Sequence, residues 1–172
     1  MAEAKAKIVG RHQRVAFMNV ATGEAAAANY QRMTGFTQMT NSKNPKEYSR
    51  QYVDRESEDT DVVGYSPAIS YSFDRHTNTP VHERIAKVHD GELTGSDALV
   101  DVVIVDFFSP GTAEGSYVAR KRTYAIIPDA DGDGTDALIY TGSLKSKSDL
   151  EEGTATILDD GKTATYTAPT AS

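Results

Sequence analysis

The clearest pattern along the chain is an alternation of large apolar with small or polar residues from Val62 to Asp74 (VVGYSPAISYSFD). A period of two predicts a β-strand whose large side chains share one face. Pro67 lies within this run and lacks the backbone N–H that a ladder uses, so we expect the strand at a sheet edge or a bulge. The large side chains on the shared face are Val63, Tyr65, Pro67, Ile69, Tyr71 and Phe73.

A helix is predicted from Pro80 to about Asp90. Thr79 can cap its N-terminus, Pro80 suits the first helical position, and Gly91 can close the helix in a left-handed conformation. Only one face of the helix is apolar, so we expect it to cover a β-sheet. That face consists of Val81, Ile85 and Val88.

Most of the remaining chain predicts β-strands. Leu99 to Phe108 is apolar on both faces apart from Asp101 and Asp106, which is typical of a central strand. The alanine-rich stretch from Gly23 to Tyr30 leaves a short second helix open. We therefore predict a mainly β fold of two packed antiparallel sheets, a sandwich or barrel, with one flanking helix over about residues 80–90. Further strands are predicted at Val15–Val20, Met33–Thr40, Glu47–Val53, Ser116–Ile127, Ala137–Lys145, Thr154–Leu158 and Thr163–Thr167.

The length of 172 residues suits one domain with a substantial core. We assign residues 1–14 to an N-terminal arm, residues 15–167 to a single β domain and residues 168–172 to a flexible C-terminal tail. No internal repeat or interdomain linker is visible in the sequence.

The absence of cysteine excludes disulfides, thiolate metal sites and cysteine nucleophiles, and it fits assembly in a reducing cytoplasm. No stretch approaches the roughly eighteen apolar residues of a membrane helix, so we expect no membrane insertion. The first residues lack the apolar segment of a secretory signal.

Charge is unevenly distributed along the chain. The formal net charge is −7, which is unfavourable for binding a nucleic-acid backbone. The first residues are nevertheless basic, and the segment from Asp54 to Asp61 carries five carboxylates and one arginine. Either both segments are simply solvated, or they attract each other between copies of the chain and order on contact. The candidate contact residues are Lys5, Lys7, Arg11 and Arg14 on the basic side and Asp54, Glu56, Glu58, Asp59 and Asp61 on the acidic side.

The acidic run of residues 127–136 (IPDADGDGTD) resembles the opening of an EF-hand loop. The twelfth position of that loop requires a bidentate glutamate and is Tyr140 here, and both flanking segments are predicted strands. We therefore predict a hairpin turn in which Gly132 and Gly134 take positive φ, with no bound metal. Calcium binding is the alternative, with Asp129, Asp131, Asp133 and Asp136 as candidate ligands.

No other metal or catalytic site is predicted, and we expect neither a cofactor nor an enzyme. His82 and His89 share one side of the helix but lack a third ligand nearby, so we interpret them as histidines at a packing boundary. Motifs for a nucleophile elbow or a phosphate-binding loop are absent. Asp101 and Asp106 are expected to pair with basic residues across a hairpin. Those partners are Arg120, Lys121 and Arg122.

Six short runs, in their order and spacing, resemble the major tail (tail tube) proteins of long-tailed bacteriophages of Gram-positive bacteria. The resemblance spans roughly residues 30–145, and each run alone is weakly specific. The runs are Asn44–Asp54 (NPKEYSRQYVD), Asp61–Pro67 (DVVGYSP), Tyr71–Asp74 (YSFD), Pro80–Glu83 (PVHE), Ala98–Phe107 (ALVDVVIVDF) and Ile127–Asp129 (IPD).

The resemblance implies two packed β-sheets with a flanking helix, and rings of six subunits that stack into a hollow tube. The implied location is the virion, after assembly in the host bacterial cytoplasm. The implied partners are further copies of the chain, a tape-measure protein, a tail terminator and distal tail or baseplate proteins, with DNA passing through without specific binding. An acidic chain suits such a wall, because it would not retain passing DNA.

Two other functions stay open at this point. One is a calcium-stabilised β-sandwich module for binding or adhesion, which requires metal on the acidic run. The other is a different tail component with the same fold, such as a tail terminator or the inner tube of a contractile tail.

Overall fold

The computed structural model describes residues 4–22, 27–132 and 134–169. Part of the predicted arm, the stretch 23–26 of the possible second helix, Asp133 and residues 170–172 of the predicted tail lie outside these ranges. No helix in the described ranges is long and apolar enough to cross a membrane. In chain order the strands are β1 Arg14–Asn19, β2 Tyr30–Arg32, β3 Phe36–Ser42, β4 Pro45–Arg50, β5 Asp59–Tyr65, β6 Ala68–Asp74, β7 Leu99–Pro110, β8 Ser116–Asp131, β9 Ile139–Ser146, β10 Glu151–Leu158 and β11 Thr163–Thr167, and the helix α1 is Pro80–Gly91.

Nine strands form one antiparallel sheet in the order β10-β11-β2-β1-β7-β8-β9-β6-β3. Strand β8 is 16 residues long, and its two halves have different neighbours on the same edge. Residues 116–121 pair with β10, whereas residues 124–131 pair with β9. Because β10 returns to β8, six strands close into a barrel (β10, β11, β2, β1, β7 and β8), and β9, β6 and β3 extend from it. Strands β4 and β5 form a separate two-stranded sheet.

The mainly β fold is thus confirmed, with one α-helix within the described ranges, but the predicted pair of packed sheets is not. The sequence shows short apolar runs of similar length, which fit either a sandwich or a barrel. What decides between them is the length of β8, which lets one strand belong to the barrel and to the open extension at once.

Strand β7 is central, as its apolar residues on both faces predict. Val103 and Val105 point into the barrel, where they pack with Phe17 of β1. Val100 and Val102 point to the opposite face and belong to the core cluster beneath α1. Successive residues of a strand face opposite sides, so a strand between two cores must be apolar throughout.

Helix α1 covers the second face of the sheet, as predicted. Val81, Ile85 and Val88 are 0% exposed. They pack in one cluster with large side chains from β6, β8 and β9. The cluster contributions of those strands are Ile69, Tyr71, Phe73, Tyr124, Ile126, Tyr140 and Leu144.

The ends of α1 differ from the prediction. Gly91 is still helical, and Glu92 takes the left-handed conformation instead, with φ 50° and ψ 46°. The helix continues one residue further because Leu93 packs against the core cluster and donates its N–H to the carbonyl of Val88, 3.2 Å away. At the other end, the Thr79 hydroxyl donates to the carbonyl of Thr77 and does not cap the helix.

The run from Val62 to Asp74 forms two strands rather than one. It divides between β5 and β6 at Pro67, which follows Ser66 outside both ladders. Pro67 and the β6 half of the predicted apolar face are buried, whereas Val63 and Tyr65 in β5 are 57% and 61% exposed. Proline therefore ends the pairing here and redirects the chain, and the alternation continues across the break without sharing a core.

Candidate interaction surfaces

Strands β4 and β5 form a hairpin that stands apart from the nine-stranded sheet. Their ladder runs from the pair Pro45–Tyr65 at its base to the pair Arg50–Asp59 at its tip. Every residue of β4 is exposed. An isolated two-stranded hairpin is marginally stable in water, and this one leaves six large apolar side chains exposed on its two faces and in its loop. Those side chains are Tyr48, Tyr52, Val53, Val62, Val63 and Tyr65.

The predicted acidic segment forms the tip of this hairpin. Residues 51–58, which we call the hairpin loop, connect the two strands. The loop has internal hydrogen bonds, since the Gln51 side-chain amide donates to the carbonyl of Glu56, 3.0 Å away. Arg55 binds Asp59 at 2.5 Å. Asp54, Glu56 and Glu58 have no ion pair within the described ranges, so the loop presents negative charge around the fully exposed Val53.

The predicted basic residues do not form one arm. Lys5 and Lys7 lie in an exposed segment without regular structure. Arg11 lies in a short 3-10 helix, where its guanidinium donates to the carbonyl of Arg14 at 2.8 Å. Arg14 itself begins β1.

Arg14 binds a buried carboxylate of its own chain. Asp106 is 3% exposed and accepts from Arg14 Nε at 2.6 Å and from Arg120 Nη2 at 2.5 Å. The predicted pairing of Asp106 with Arg120 is confirmed, and Arg14 is an additional partner that β1 supplies from the other side of β7. Asp101 instead accepts from the Thr123 hydroxyl at 2.6 Å. Arg14 therefore forms an ion pair within its own chain rather than belonging to a free arm.

Beside the Asp106 cluster lies an uncovered groove with a volume of about 530 Å³. Its floor includes Ala16, Met39 and Ile104, which pack against the core cluster that α1 covers elsewhere. The groove is thus a continuation of the helix-covered face of the sheet. Five basic residues and one acidic residue, Glu152, also line it. We call it the basic groove, after Arg11, Arg14, Lys43, Arg120 and Arg122.

The positive charges of the basic groove act on one another. Partial burial lowers the pKa of the Lys43 ammonium, and the nearby guanidiniums of Arg120, Arg122 and Arg14 lower it further. The Nε atom of Arg122 is buried and has no hydrogen-bond partner among the described residues. A chain with a net charge of −7 therefore concentrates cations at one concave surface. Sequence reasoning missed Lys43, Arg120 and Arg122 as parts of this surface, because they lie far from the N-terminus in the sequence.

The acidic run 127–136 is a hairpin turn between two strands, as predicted. Asp129 and Asp131 belong to β8, and the Gly132 N–H donates to the carbonyl of Ile139 at 3.0 Å. Gly132 and Gly134 have φ of 87° and 126°, so both take the expected positive values. Asp136 lies in the exposed turn, and Asp133 lies outside the described residues. In the described ranges no three His, Cys, Asp or Glu side chains are grouped to hold a metal ion.

The interpretation of His82 and His89 as boundary residues is wrong, because both are core residues. Their exposures are 0% and 7%. The His82 ring stacks on Phe73 with centroids 4.4 Å apart. His89 Nε2 lies 2.7 Å from the Tyr71 hydroxyl. Both positions are on the side of α1 that carries Val81, Ile85 and Val88, which is the signal that identifies them as buried.

No protein-family model matches this sequence, and no curated protein is significantly similar to it. Solved structures match this chain in fold, and two of them are the following. A chain of the tail of an empty GTA particle, from helical refinement with C6 symmetry, has a TM-score of 0.51 at 10% identity over 83% of this chain and 97% of that chain. A chain of the 6-fold symmetrised baseplate of the anti-feeding prophage (AFP) has a TM-score of 0.49 at 10% identity over 86% and 97%. At such identities the GTA similarity establishes a shared fold only, and the lower score of the AFP chain adds no support.

Proposed function

We propose that this protein is a structural, non-catalytic subunit of a bacteriophage-type tail. It assembles with copies of itself into rings of six subunits, and the rings stack into a tube that conducts the genome. The observation that carries this proposal is the β4–β5 hairpin, which exposes six large apolar side chains and, within the described ranges, pairs with no strand of the nine-stranded sheet. Such a hairpin is stabilised when another subunit covers it.

The free edge of the sheet supports the same proposal. Within the described ranges β3 pairs with β6 on one side only. Its sequence, FTQMTNS, contains no charged residue and no proline, which are the usual protections of a free edge. An edge whose own residues give so little protection suits a sheet that continues into the next subunit. The GTA chain with a similar fold belongs to a particle tail that was refined with C6 symmetry, which favours rings of six.

Other aspects of the proposal follow from the role of a tube. The partners of such a subunit are a tape-measure protein within the tube, and a terminator and distal or baseplate proteins at its ends. DNA passes through without specific binding, in keeping with the acidic chain. Lys5 and Lys7, exposed in the N-terminal segment, are proposed to contact neighbouring copies.

Electron microscopy of the purified full-length chain in negative stain tests this function. We expect rings or tubes with sixfold end views. The matched control replaces residues 46–64 by a two-residue Asn-Gly turn, which leaves the nine-stranded sheet intact and removes the hairpin. This variant should melt like the parent and should not assemble. Dispersed parent subunits over the full concentration range contradict the proposal, and single rings that never stack indicate another tail component.

A further inference from the structure

We propose that the basic groove is the docking site for the acidic hairpin loop of a neighbouring copy of this chain. The inference rests on the proposed self-assembly and names the surface that receives the hairpin. The contact joins two different surfaces of identical subunits, so it is head-to-tail and can be repeated from one subunit to the next.

The two surfaces match in charge. The groove presents five cations, of which two, Arg14 and Arg120, are partly neutralised by Asp106. Arg11, Lys43 and Arg122 remain without an ion pair in the described part of the chain. The hairpin loop brings the carboxylates of Asp54, Glu56 and Glu58. Facing charges of opposite sign orient docking and disfavour wrong partners.

The two surfaces also match in their apolar parts. The hairpin loop exposes Val53 fully and Tyr52 by half. The floor of the groove is an apolar surface that α1 leaves uncovered. The volume of the groove is within the roughly 300–1,000 Å³ that is usual for binding clefts. Apolar side chains at the centre with charges around them are the common arrangement of a protein interface.

The hairpin loop cannot reach the groove of its own chain while its ladder is intact. Tyr65 and Pro67 line the groove, so the base of the hairpin lies at the rim of the groove. The six paired positions from Pro45 to Arg50 separate the base from the tip by roughly 20 Å. The occupant is therefore the loop of another copy.

A nucleic acid is the competing occupant, because phosphates also bind arginine and lysine. The observations favour the protein loop on two grounds. The net charge of −7 opposes approach of a polyanion to the chain as a whole. The apolar floor also has no counterpart in a phosphate backbone, whereas Tyr52 and Val53 supply one.

Cross-linking between full-length subunits tests the inference, because the chain has no cysteine of its own. One subunit carries Val53→Cys, and a second of different mass carries Asn41→Cys in the groove. Under mild oxidation we expect the mixed dimer to dominate. The matched control carries Leu138→Cys, which is exposed on the β8–β9 hairpin away from the groove. The inference is overturned if the yield of mixed dimers with Asn41→Cys is no higher than the yield with Leu138→Cys.

Charge reversal in the groove supplies the second measurement. Lys43→Glu with Arg122→Glu, added to the Asn41→Cys subunit, should lower the mixed-dimer yield about tenfold, because attractive pairs become repulsive ones. Glu56→Lys with Glu58→Lys in the Val53→Cys partner should restore it. Lys87→Glu with Lys162→Glu, at two exposed positions outside the groove, is the control of equal charge change. If the variant with Arg122→Glu does not fold, Lys43→Glu alone, which changes an exposed position, replaces it in this measurement.

The outcomes separate this inference from the proposed function. If tubes form but the cross-link between the cysteines at positions 53 and 41 does not, the groove inference is wrong and the proposed tube stands. If the cross-link forms but micrographs show only small irregular oligomers, the groove inference stands and the proposed tube is wrong. The third outcome concerns a labelled single-stranded oligonucleotide. If it binds the parent but not the Lys43→Glu, Arg122→Glu variant, and the cross-link is the same in both, the groove binds nucleic acid instead.

Discussion

The Nδ1 atom of His82 accepts a hydrogen bond from the backbone N–H of His76, 3.0 Å away. An acceptor nitrogen carries no proton, so the proton of the neutral ring is on Nε2, which donates to the carbonyl of Thr34 at 2.6 Å. Both ring nitrogens are thus satisfied by the neutral form. A second proton on Nδ1 would point at the N–H of His76 and break this hydrogen bond.

We predict that the protein loses stability as the pH falls from 7.5 to 5.5. Burial lowers the pKa of His82 below its ordinary 6.5, outweighing the hydrogen bond to Thr34 that raises it, and burial also lowers the pKa of His89. The unfolded chain therefore binds protons near pH 6.5 that the folded chain still excludes. The stabilisation is complete above that pH and is lost progressively as the pH falls below it through the lower pKa of the folded state.

Urea unfolding at several pH values measures this effect. Carboxylates remain largely ionised in the chosen window, so the histidines dominate the slope. Asp74, Arg75 and His76 are the other charged or titratable groups whose charges act on His82. The variant His12→Gln, at an exposed position, should keep the slope of the parent. An unfolding free energy that is flat from pH 7.5 to 5.5 contradicts the prediction.

Ile85→Asp should lower the free energy of unfolding by more than about 3 kcal/mol, because it places a charge in the apolar seam between α1 and the sheet. Ile85 is fully buried. Lys87→Asp is the matched control, with the same new residue on the solvent side of the helix, and should cost less than about 1 kcal/mol. If the two changes lower the free energy of unfolding equally in chemical denaturation, α1 does not pack on the core.

Asp106→Asn should destabilise the fold by about 2 kcal/mol, because the amide leaves two guanidiniums facing a neutral group. The estimate is below that for a fully buried pair, since the Arg14 and Arg120 side chains are 51% and 29% exposed. Asp101→Asn, which keeps an acceptor for the Thr123 hydroxyl, should cost less than about 1 kcal/mol. Similar melting temperatures for Asp106→Asn and the parent would show that the cluster does not stabilise the fold.

The turn of residues 127–136 should be independent of calcium. Tyr140, at the position of the bidentate ligand, is in β9 and pairs with Asp131 in the ladder. Ligand binding to the folded state raises the melting temperature, so millimolar calcium and excess chelator should give the same value. A saturable rise with calcium, absent with magnesium, would restore the binding-module alternative.

The sequence predicted what depends on local periodicity. The helix face of Val81, Ile85 and Val88 and the two apolar faces of β7 were both evident, because neighbours along the chain define them. Closure of the barrel was not evident, since it depends on which strand pairs with each half of β8. The basic groove was also hidden, because its cations come from three separate segments and meet only in the folded chain. Arg14 illustrates the difference, because its place near the N-terminus predicts part of a basic arm, whereas in the folded chain it forms an ion pair with Asp106.

The final prediction concerns assembly through the hairpin loop. Replacing Glu56, Glu58 and Asp59 by Ser removes three negative charges from the loop and the start of β5, which should shorten or abolish tubes without lowering the melting temperature. The ion pair of Asp59 with Arg55 is exposed and contributes little to the fold. Parent tubes should also shorten as salt rises from roughly 0.05 to 0.5 M, because screening weakens exposed charge pairs.

The control for this prediction removes three exposed carboxylates elsewhere. Glu114, Asp136 and Asp149 are exposed in other connections, and their replacement by Ser changes the net charge equally. Tubes of this control should match those of the parent in length and in salt dependence. If instead both triple variants assemble alike, the position of the charge is irrelevant, and the exposed apolar side chains of the hairpin carry the contact alone.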